Sequence, residues 1–335
     1  MQVVALCLLV SVTILAPAQD SKSRPRSEKE PTYTDPAQAG IDYLIQGEYV
    51  GGKEGSRFGL QVIAAGEGQF TVKGFFGGLP GDGWDGDRRG IRRWQGRRDD
   101  GKLTIADKEA AVVIADGKAQ VAGGRWELQR VVRRSPTEGL KPPPGAVVLF
   151  DGQNLDNWTA ADGMTPPNWM LEGGILRVGR GDILSKVRFT KPHTIHLEFR
   201  LPFMPRARGQ ARANSGVYIQ NRYELQILDS FGLEGKNNEA GGFYSQYDPK
   251  INMCYPPLQW QTYDIEFTPA RFENGRKTAS ARATVRHNGV VVQDNVELKG
   301  PTPGGAAESE EGGGIRLQDH GDPLMFRNIW VLEKK

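Results

Sequence analysis

Two short stretches of alternating sequence carry the groups best suited to proton transfer and hydroxyl binding. In Tyr223-Glu224-Leu225-Gln226-Ile227 successive side chains of a strand point to opposite faces, so Glu224 and Gln226 share the face opposite Tyr223, Leu225 and Ile227. The same period sets Arg316, Gln318 and His320 opposite Ile315 and Leu317, provided the strand runs that far. On neighbouring strands of a concave sheet, a carboxylate, two amides, a guanidinium and an imidazole would converge. Such a set suits a polyhydroxylated ligand, whose hydroxyls need both donors and acceptors. Spacing alone favours the plainer alternative, an ordinary solvated sheet face.

The surrounding sequence supplies the elements to position these residues. Ile195-His196-Leu197-Glu198-Phe199 and Tyr263-Asp264-Ile265-Glu266-Phe267 alternate in the same way, as half-buried antiparallel strands do. Asn288-Gly289, between Thr284-Val285-Arg286 and Val290-Val291-Val292, predicts a two-residue hairpin turn. Two packed sheets are the natural way to bury so many strands. With 43 Gly and 21 Pro in 335 residues, turns and short strands are favoured over long helices.

Ser135 to Gly145, with Pro136 and the triplet Pro142-Pro143-Pro144, predicts a stiff linker, so the strand-rich region over 146–335 is expected to be a domain of its own. Residues 39–134 show short apolar runs separated by Gly and Asp turns, which predicts a small β domain, either a holding module or a spacer. Within it, six arginines lie around Trp94 between Arg88 and Arg98. They suit an anionic polysaccharide or phosphate, or else form a solvated loop balanced by neighbouring aspartates. The Asp82-Gly83-Trp84-Asp85-Gly86-Asp87 loop lacks the spacing of an EF-hand.

Residues 1–18 are apolar from Val3 to Leu15 and end in Ala16-Pro17-Ala18, the pattern of a cleavable signal peptide; the run is short for a membrane span. Residues 19–38 are polar and charged, which predicts a disordered leader. The protein is therefore expected to be exported (periplasmic, cell-surface or secreted), without stable membrane insertion after cleavage. The balance of 43 basic and 40 acidic residues, net +3, points to no nucleic-acid partner. Without the signal only Cys254 remains, so no internal disulfide is available, and its Asn252-Met253-Cys254-Tyr255 setting predicts a packed loop rather than a nucleophile.

Five segments, in order, carry a family resemblance: Leu149-Phe150-Asp151-Gly152-Gln153-Asn154-Leu155-Asp156-Asn157-Trp158; Trp169 with Gly173-Gly174-Ile175-Leu176; Asn214-Ser215-Gly216-Val217-Tyr218; Tyr223 to Asp229; and Leu317-Gln318-Asp319-His320-Gly321 with Phe326-Arg327-Asn328-Ile329. Over about residues 145–333 the chain resembles the family once called DUF1080, now described as 3-keto-disaccharide hydrolases or 3-keto-glucoside 1,2-lyases and 3-keto-2-hydroxy-glucal hydratases. The resemblance implies a concanavalin-like jelly-roll β-sandwich. It also implies a sugar substrate, a glycoside already oxidised at C3. The ketone acidifies the C2 hydrogen, a base removes it, the C1 substituent leaves by β-elimination, and hydration completes a net hydrolysis.

On that footing Glu224 and His320 are the expected base and acid, in either order. Gln226, Gln318 and Asn214 would orient sugar hydroxyls. Arg327 would donate to the C3 oxygen as it gains charge, or pair with Asp229 as a structural bridge. A divalent metal held by His320 with Asp319, Asp322 or Glu224 is the mechanistic alternative. Trp158, Trp169 and Trp260 would stack on sugar rings or pack the core. The competing functional class is a non-catalytic carbohydrate-binding or envelope scaffold module on the same sandwich. A conventional endoglucanase is disfavoured, because no run around Glu224 places several carboxylates on one face.

Overall fold

The structure, a computed structural model, describes residues 31–53, 55–106 and 111–334. The expected signal peptide and residues 19–30 of the expected leader lie outside the described residues. The remainder of that leader makes defined contacts: Tyr33 bridges Phe203 by paired backbone hydrogen bonds and Pro36–Gln38 forms a 3-10 turn.

Among the described residues, eight strands between Gly47 and Val131 pair antiparallel in sequence order. The last, Trp126–Val131, pairs back onto the first, Gly47–Gly51, to close a barrel. Its inward positions are filled by Tyr49, Leu60, Val62, Phe70, Val72, Trp94 and Leu103, so the interior is a packed core. Trp94 thus belongs to that core. The arginines around it lie on the strand Arg92–Asp99 and the preceding turn, three of them in ion pairs: Arg89 with Asp87, Arg93 with Glu234 and Arg98 with Asp42.

Beyond the barrel lie two antiparallel sheets with the main hydrophobic core between them. One sheet has five strands in the order Trp158–Ala160, Ile183–Ser185, Arg316–Leu317, Ser215–Ile219, Tyr223–Ile227. The other has eight, built around His193–Arg200, Trp260–Thr268, Ala281–His287 and Met325–Glu333. Alternation works as expected: Tyr223, Leu225 and Ile227 face the core from the first sheet, and Ile195, Leu197, Phe199, Ile265 and Phe267 from the second. The hairpin at Asn288-Gly289 forms between Ala281–His287 and Val290–Leu298, with both turn residues at positive φ, 51° and 81°. Trp158 and Trp169 are core residues. Trp260 lies between the guanidinium groups of Arg200 and Arg327. Cys254 is buried and its thiol is pushed up to about 12 by burial, consistent with a packed loop.

The proline-rich segment does not hang free between barrel and sheets. It folds over the outer face of the eight-stranded sheet, where Thr137 donates to Asp264 at 2.6 Å, Gly139 N donates to Glu198 Oε1 at 2.6 Å and the Leu140 carbonyl accepts from Asn328 at 2.9 Å. Beneath it His196 Nδ1 donates to Asp264 at 2.6 Å, and Glu198 accepts from Arg327 Nε at 2.6 Å. Burial alone would raise Glu198, but hydrogen bonds from His196, Asn328, Gly139 and Arg327 outweigh it and hold the carboxyl down to about 2. A depressed native value means stability present above the ordinary pKa of 4.5 and lost as pH falls toward 2. Removing Glu198 takes from Arg327 one of its two carboxylate partners and from Gly139 N its buried acceptor. We expect Glu198→Ala to lower unfolding stability by about 3 kcal/mol, measured by urea denaturation at pH 7.

Candidate functional site

The candidate site lies on the outer face of the five-stranded sheet, and the strand register builds it. Tyr218 is the cross-strand partner of Glu224 on one side and of Arg316 on the other, so the three form one row. In the next row Gln226 faces Gly216, and Gln318 N donates to the Gly216 carbonyl at 3.0 Å. Period two then turns Glu224, Gln226, Tyr218, Gly216, Arg316 and Gln318 to the same side, away from Leu225, Val217 and Leu317 in the core. The convergence expected for Glu224, Gln226, Arg316 and Gln318 is present.

Glu224 is only 4% exposed. Its Oε2 accepts from the Tyr218 hydroxyl at 2.9 Å, while Oε1 accepts from no group among the described residues. A Cβ on Gly216 would stand 2.5 Å from that Oε1, so only glycine leaves room for the carboxylate and for whatever approaches it. Burial raises the Glu224 carboxyl to about 7, partly offset by the Tyr218 hydrogen bond and the charge of Arg316 and reinforced by Asp182. Burial, together with the adjacent carboxylate, keeps Tyr218 protonated far above its usual range.

Arg316 lies 3.7 Å above the Tyr218 ring and donates from Nη2 to the Gly304 carbonyl at 2.7 Å; its Nε is 3.5 Å from Asp182 Oδ2. Burial raises Asp182, which accepts from Asp319 N at 2.9 Å. Four buried polar atoms in this patch have no hydrogen-bond partner among the described residues: Gln226 Oε1, Gln318 Oε1, Asn214 Oδ1 and Arg316 Nε. Buried polar groups are normally paired, so three unpartnered acceptors beside a free carboxylate oxygen, with the Arg316 guanidinium next to them, describe a surface complementary to hydroxyl groups.

Two expected members stand elsewhere. The strand carrying Arg316 ends at Leu317, and the chain turns through Asp319, whose Oδ1 accepts from Gly321 N; His320 is left exposed at the rim with no hydrogen bond to Glu224. Its charge bears on Asp182 instead. Arg327 lies on the opposite sheet, paired with Glu198 and with Glu138 at 2.9 Å, and so does not reach this face. Asp229 pairs with Arg212 at 2.7 Å rather than with Arg327. Asp322 Oδ2 accepts from Asn214 N at 3.0 Å. Among the described residues no three His, Cys, Asp or Glu side chains are grouped to hold a metal ion.

Sequence reasoning passed over Tyr218, Gly216 and Asp182. The first two were within its reach: Asn214, Gly216 and Tyr218 alternate with core-facing Val217 and share one face by the same period that selected Glu224. Asp182 carries no such signal, because it precedes a three-residue strand.

The family model of the 3-keto-alpha-glucoside-1,2-lyase-like domain matches residues 145–332, which include the whole candidate site. No curated protein matches. Among solved structures, a "putative glycosyl hydrolase" from Parabacteroides distasonis ATCC 8503 is 33% identical over 57% of this chain and 85% of its own, with a TM-score of 0.53. Another from the same organism, under the same description, is 23% identical over 56% of this chain and 99% of its own, with a TM-score of 0.40. The matched region is thus a carbohydrate-active domain. The chain belongs to the 3-keto-alpha-glucoside-1,2-lyase-like family.

Proposed function

We propose that the protein cleaves 3-keto-glycosides at the outer face of the five-stranded sheet, with Glu224 as the base. The observation that carries this reading is a buried carboxylate near neutrality with one oxygen tied to Tyr218 and the other free above Gly216. With the sugar ring over Gly216, Glu224 Oε1 takes the proton from C2. The C–H electrons form an enolate with its charge on the C3 oxygen. The enolate then reforms the ketone as the C1–O bond breaks, leaving a C1–C2 double bond and an alkoxide that takes a proton. Water adds across that double bond, oxygen to C1 and hydrogen to C2, giving net hydrolysis.

Each neighbour has a part in that sequence. Arg316, whose Nε makes no hydrogen bond and only a 3.5 Å ion pair with Asp182, and whose guanidinium is fixed on the Tyr218 ring, is the donor for the C3 oxygen, the role the sequence suggested for Arg327. Gln226, Gln318 and Asn214 accept from sugar hydroxyls through their unpartnered oxygens. Tyr218 stays protonated and aims the carboxylate. Glu224, once protonated, returns its proton to the leaving oxygen, since nothing couples His320 to it. The two sheets are read as a concanavalin-like jelly roll. Apolar residues 1–18 support export, and no helix among the described residues is long and apolar enough to cross a membrane.

Product formation from a 3-keto-glucoside by the full-length protein tests the reading. Glu224→Gln should lower kcat by about 10²–10⁴, the range for loss of a general base, while His320→Asn should cost less than about threefold. Turnover that survives Glu224→Gln would remove the assignment, and a wild type that binds sugars without turning them over would make this a binding module. The rate should rise with pH and level off above about 7, where Glu224 is ionised.

The same group makes a separate prediction for stability. Its native value is raised above the ordinary 4.5, so the folded protein holds a proton that the unfolded chain has released, and stability falls as pH rises from about 4.5 to about 7. Glu224→Gln, which still accepts from Tyr218, should therefore melt higher than wild type at pH 8 and no higher at pH 4.5, by differential scanning calorimetry.

A further inference from the structure

The barrel grips the second domain at two places, and both lead to the same amide in the candidate site. At the first, Arg208 donates from Nη2 to the Ala65 carbonyl at 2.7 Å, near the end of the second barrel strand, and Arg206 pairs at 3.3 Å with Glu67 in the turn that follows. These arginines belong to the segment that carries Gln210. At the second, Lys73 donates to Glu234 at 2.6 Å and Arg93 pairs with the same carboxylate at 3.2 Å. Lys73 is 9% exposed in its side chain, so the lysine is held against the barrel wall, while the Glu234 carboxylate it meets stays partly open to solvent. Beside it Ile63, on the outside of the barrel, packs against Gly232 and joins the core of the sandwich. Glu234 lies in the loop that carries Asn238.

The two gripped segments meet at Gln210. Its Nε2 donates to the Asn238 carbonyl at 2.8 Å, and its Oε1 accepts from Gln226 Nε2 at 2.9 Å and from Asn214 Nδ2 at 3.3 Å. The Gln210 carbonyl also accepts from Asn214 Nδ2 at 2.8 Å. A carboxamide has one donor end and one acceptor end, so holding the donor ends of Gln226 and Asn214 fixes where their acceptor ends go. Those acceptor ends are the unpartnered oxygens assigned above to sugar hydroxyls.

We propose that Gln210 is a positioning residue of the sugar site, and that the barrel completes this site by holding the two segments that meet at Gln210. The inference rests on the proposed sugar chemistry of that face. It gives the N-terminal β domain a definite role, because without its grip the two amides can turn over and present N–H groups where acceptors are needed. The consequence is on substrate binding, because the amides touch hydroxyls that do not react, and the proton transfer at Glu224 is left in place.

The test is a double-mutant cycle in the full-length protein with a 3-keto-glucoside as substrate. Gln210→Met, similar in size but lacking the acceptor, should raise KM about tenfold, in line with the rotamer freedom regained chiefly by Gln226, since the Gln210 carbonyl still holds Asn214, with kcat within about threefold of wild type and Tm unchanged. Gln210→Met added to Gln226→Ala should raise KM by no more than about threefold beyond Gln226→Ala alone, because Gln210 acts largely through Gln226. Lys73→Met, wholly on the barrel, should raise KM in the same direction by about threefold. A wild-type KM in Gln210→Met, or effects of the two amide substitutions that multiply in full, would overturn the positioning role. A wild-type KM in Lys73→Met would overturn the part assigned to the barrel. Should Gln210→Met fail to fold, the same cycle run with Lys73→Met and Gln226→Ala decides the question by the same criteria. If the wild type turns over no 3-keto-glucoside, the lyase reading has failed on its own. The variants are then ranked by calorimetric titration with methyl β-glucoside, where the same order of affinities is expected and equal affinities would refute the inference.

Discussion

The burial of one carboxylate governs the arrangement of this face. Glu224 sits in a sheet row with no cation in hydrogen-bond contact among the described residues, only the Tyr218 hydroxyl and, one strand further, the charge of Arg316. Burying a charge with so little compensation is costly, and the group responds by holding its proton up to about neutral pH. An ordinary surface carboxylate would be fully ionised but weakly basic. A fully paired one, like Glu198 on the opposite sheet, is held down to about 2 and would not take up a proton. Two glutamates on two sheets of one sandwich thus diverge because one is surrounded by donors and the other by a tyrosine and a bare glycine.

The rest of the molecule serves to keep that face rigid and incompletely satisfied. The core between the sheets fixes the alternation that puts Glu224, Tyr218 and Arg316 in one row. The proline-rich segment covers the back of the eight-stranded sheet, where its backbone and side chains donate to the buried Glu198 and to Asp264, which in turn holds the buried His196. The barrel and sandwich share apolar packing in both directions: Ile63 enters the sandwich core, while Phe203 and Leu258 enter the barrel core. Exchanged core residues of this kind make a hinge between the two parts costly, since opening it would expose apolar surface on each side. Within this packing Gln226, Gln318 and Asn214 are left with unpartnered oxygens.

Much of the fold and part of the site were legible in the sequence, and local period separates the two. Tyr223 to Ile227 alternates so clearly that the facing of Glu224 and Gln226 follows from strand geometry, and Asn288-Gly289 predicts its hairpin from the backbone preferences of two residues. The five family segments identify the domain. His320 and Arg327 show where this reasoning fails. His320 would share the face of Arg316 only in a continuous strand, and the chain turns at Asp319. Arg327 is close to His320 in sequence, but the intervening turn carries it across to the other sheet.

What the sequence by itself determined is which side chains share a face within each strand, since that depends only on the two-residue period of an extended backbone. Which strands stand side by side was decided by the tertiary structure. Arg316 and Tyr218 are nearly a hundred positions apart and meet through register, Asp182 enters from just before a three-residue strand, and Gln210 reaches Gln226 from a loop that the barrel contacts through Arg208. The proton affinity of Glu224 is of the same kind. It comes from the loss of water and the particular donors around the carboxylate, and neither is set until the sheets have packed.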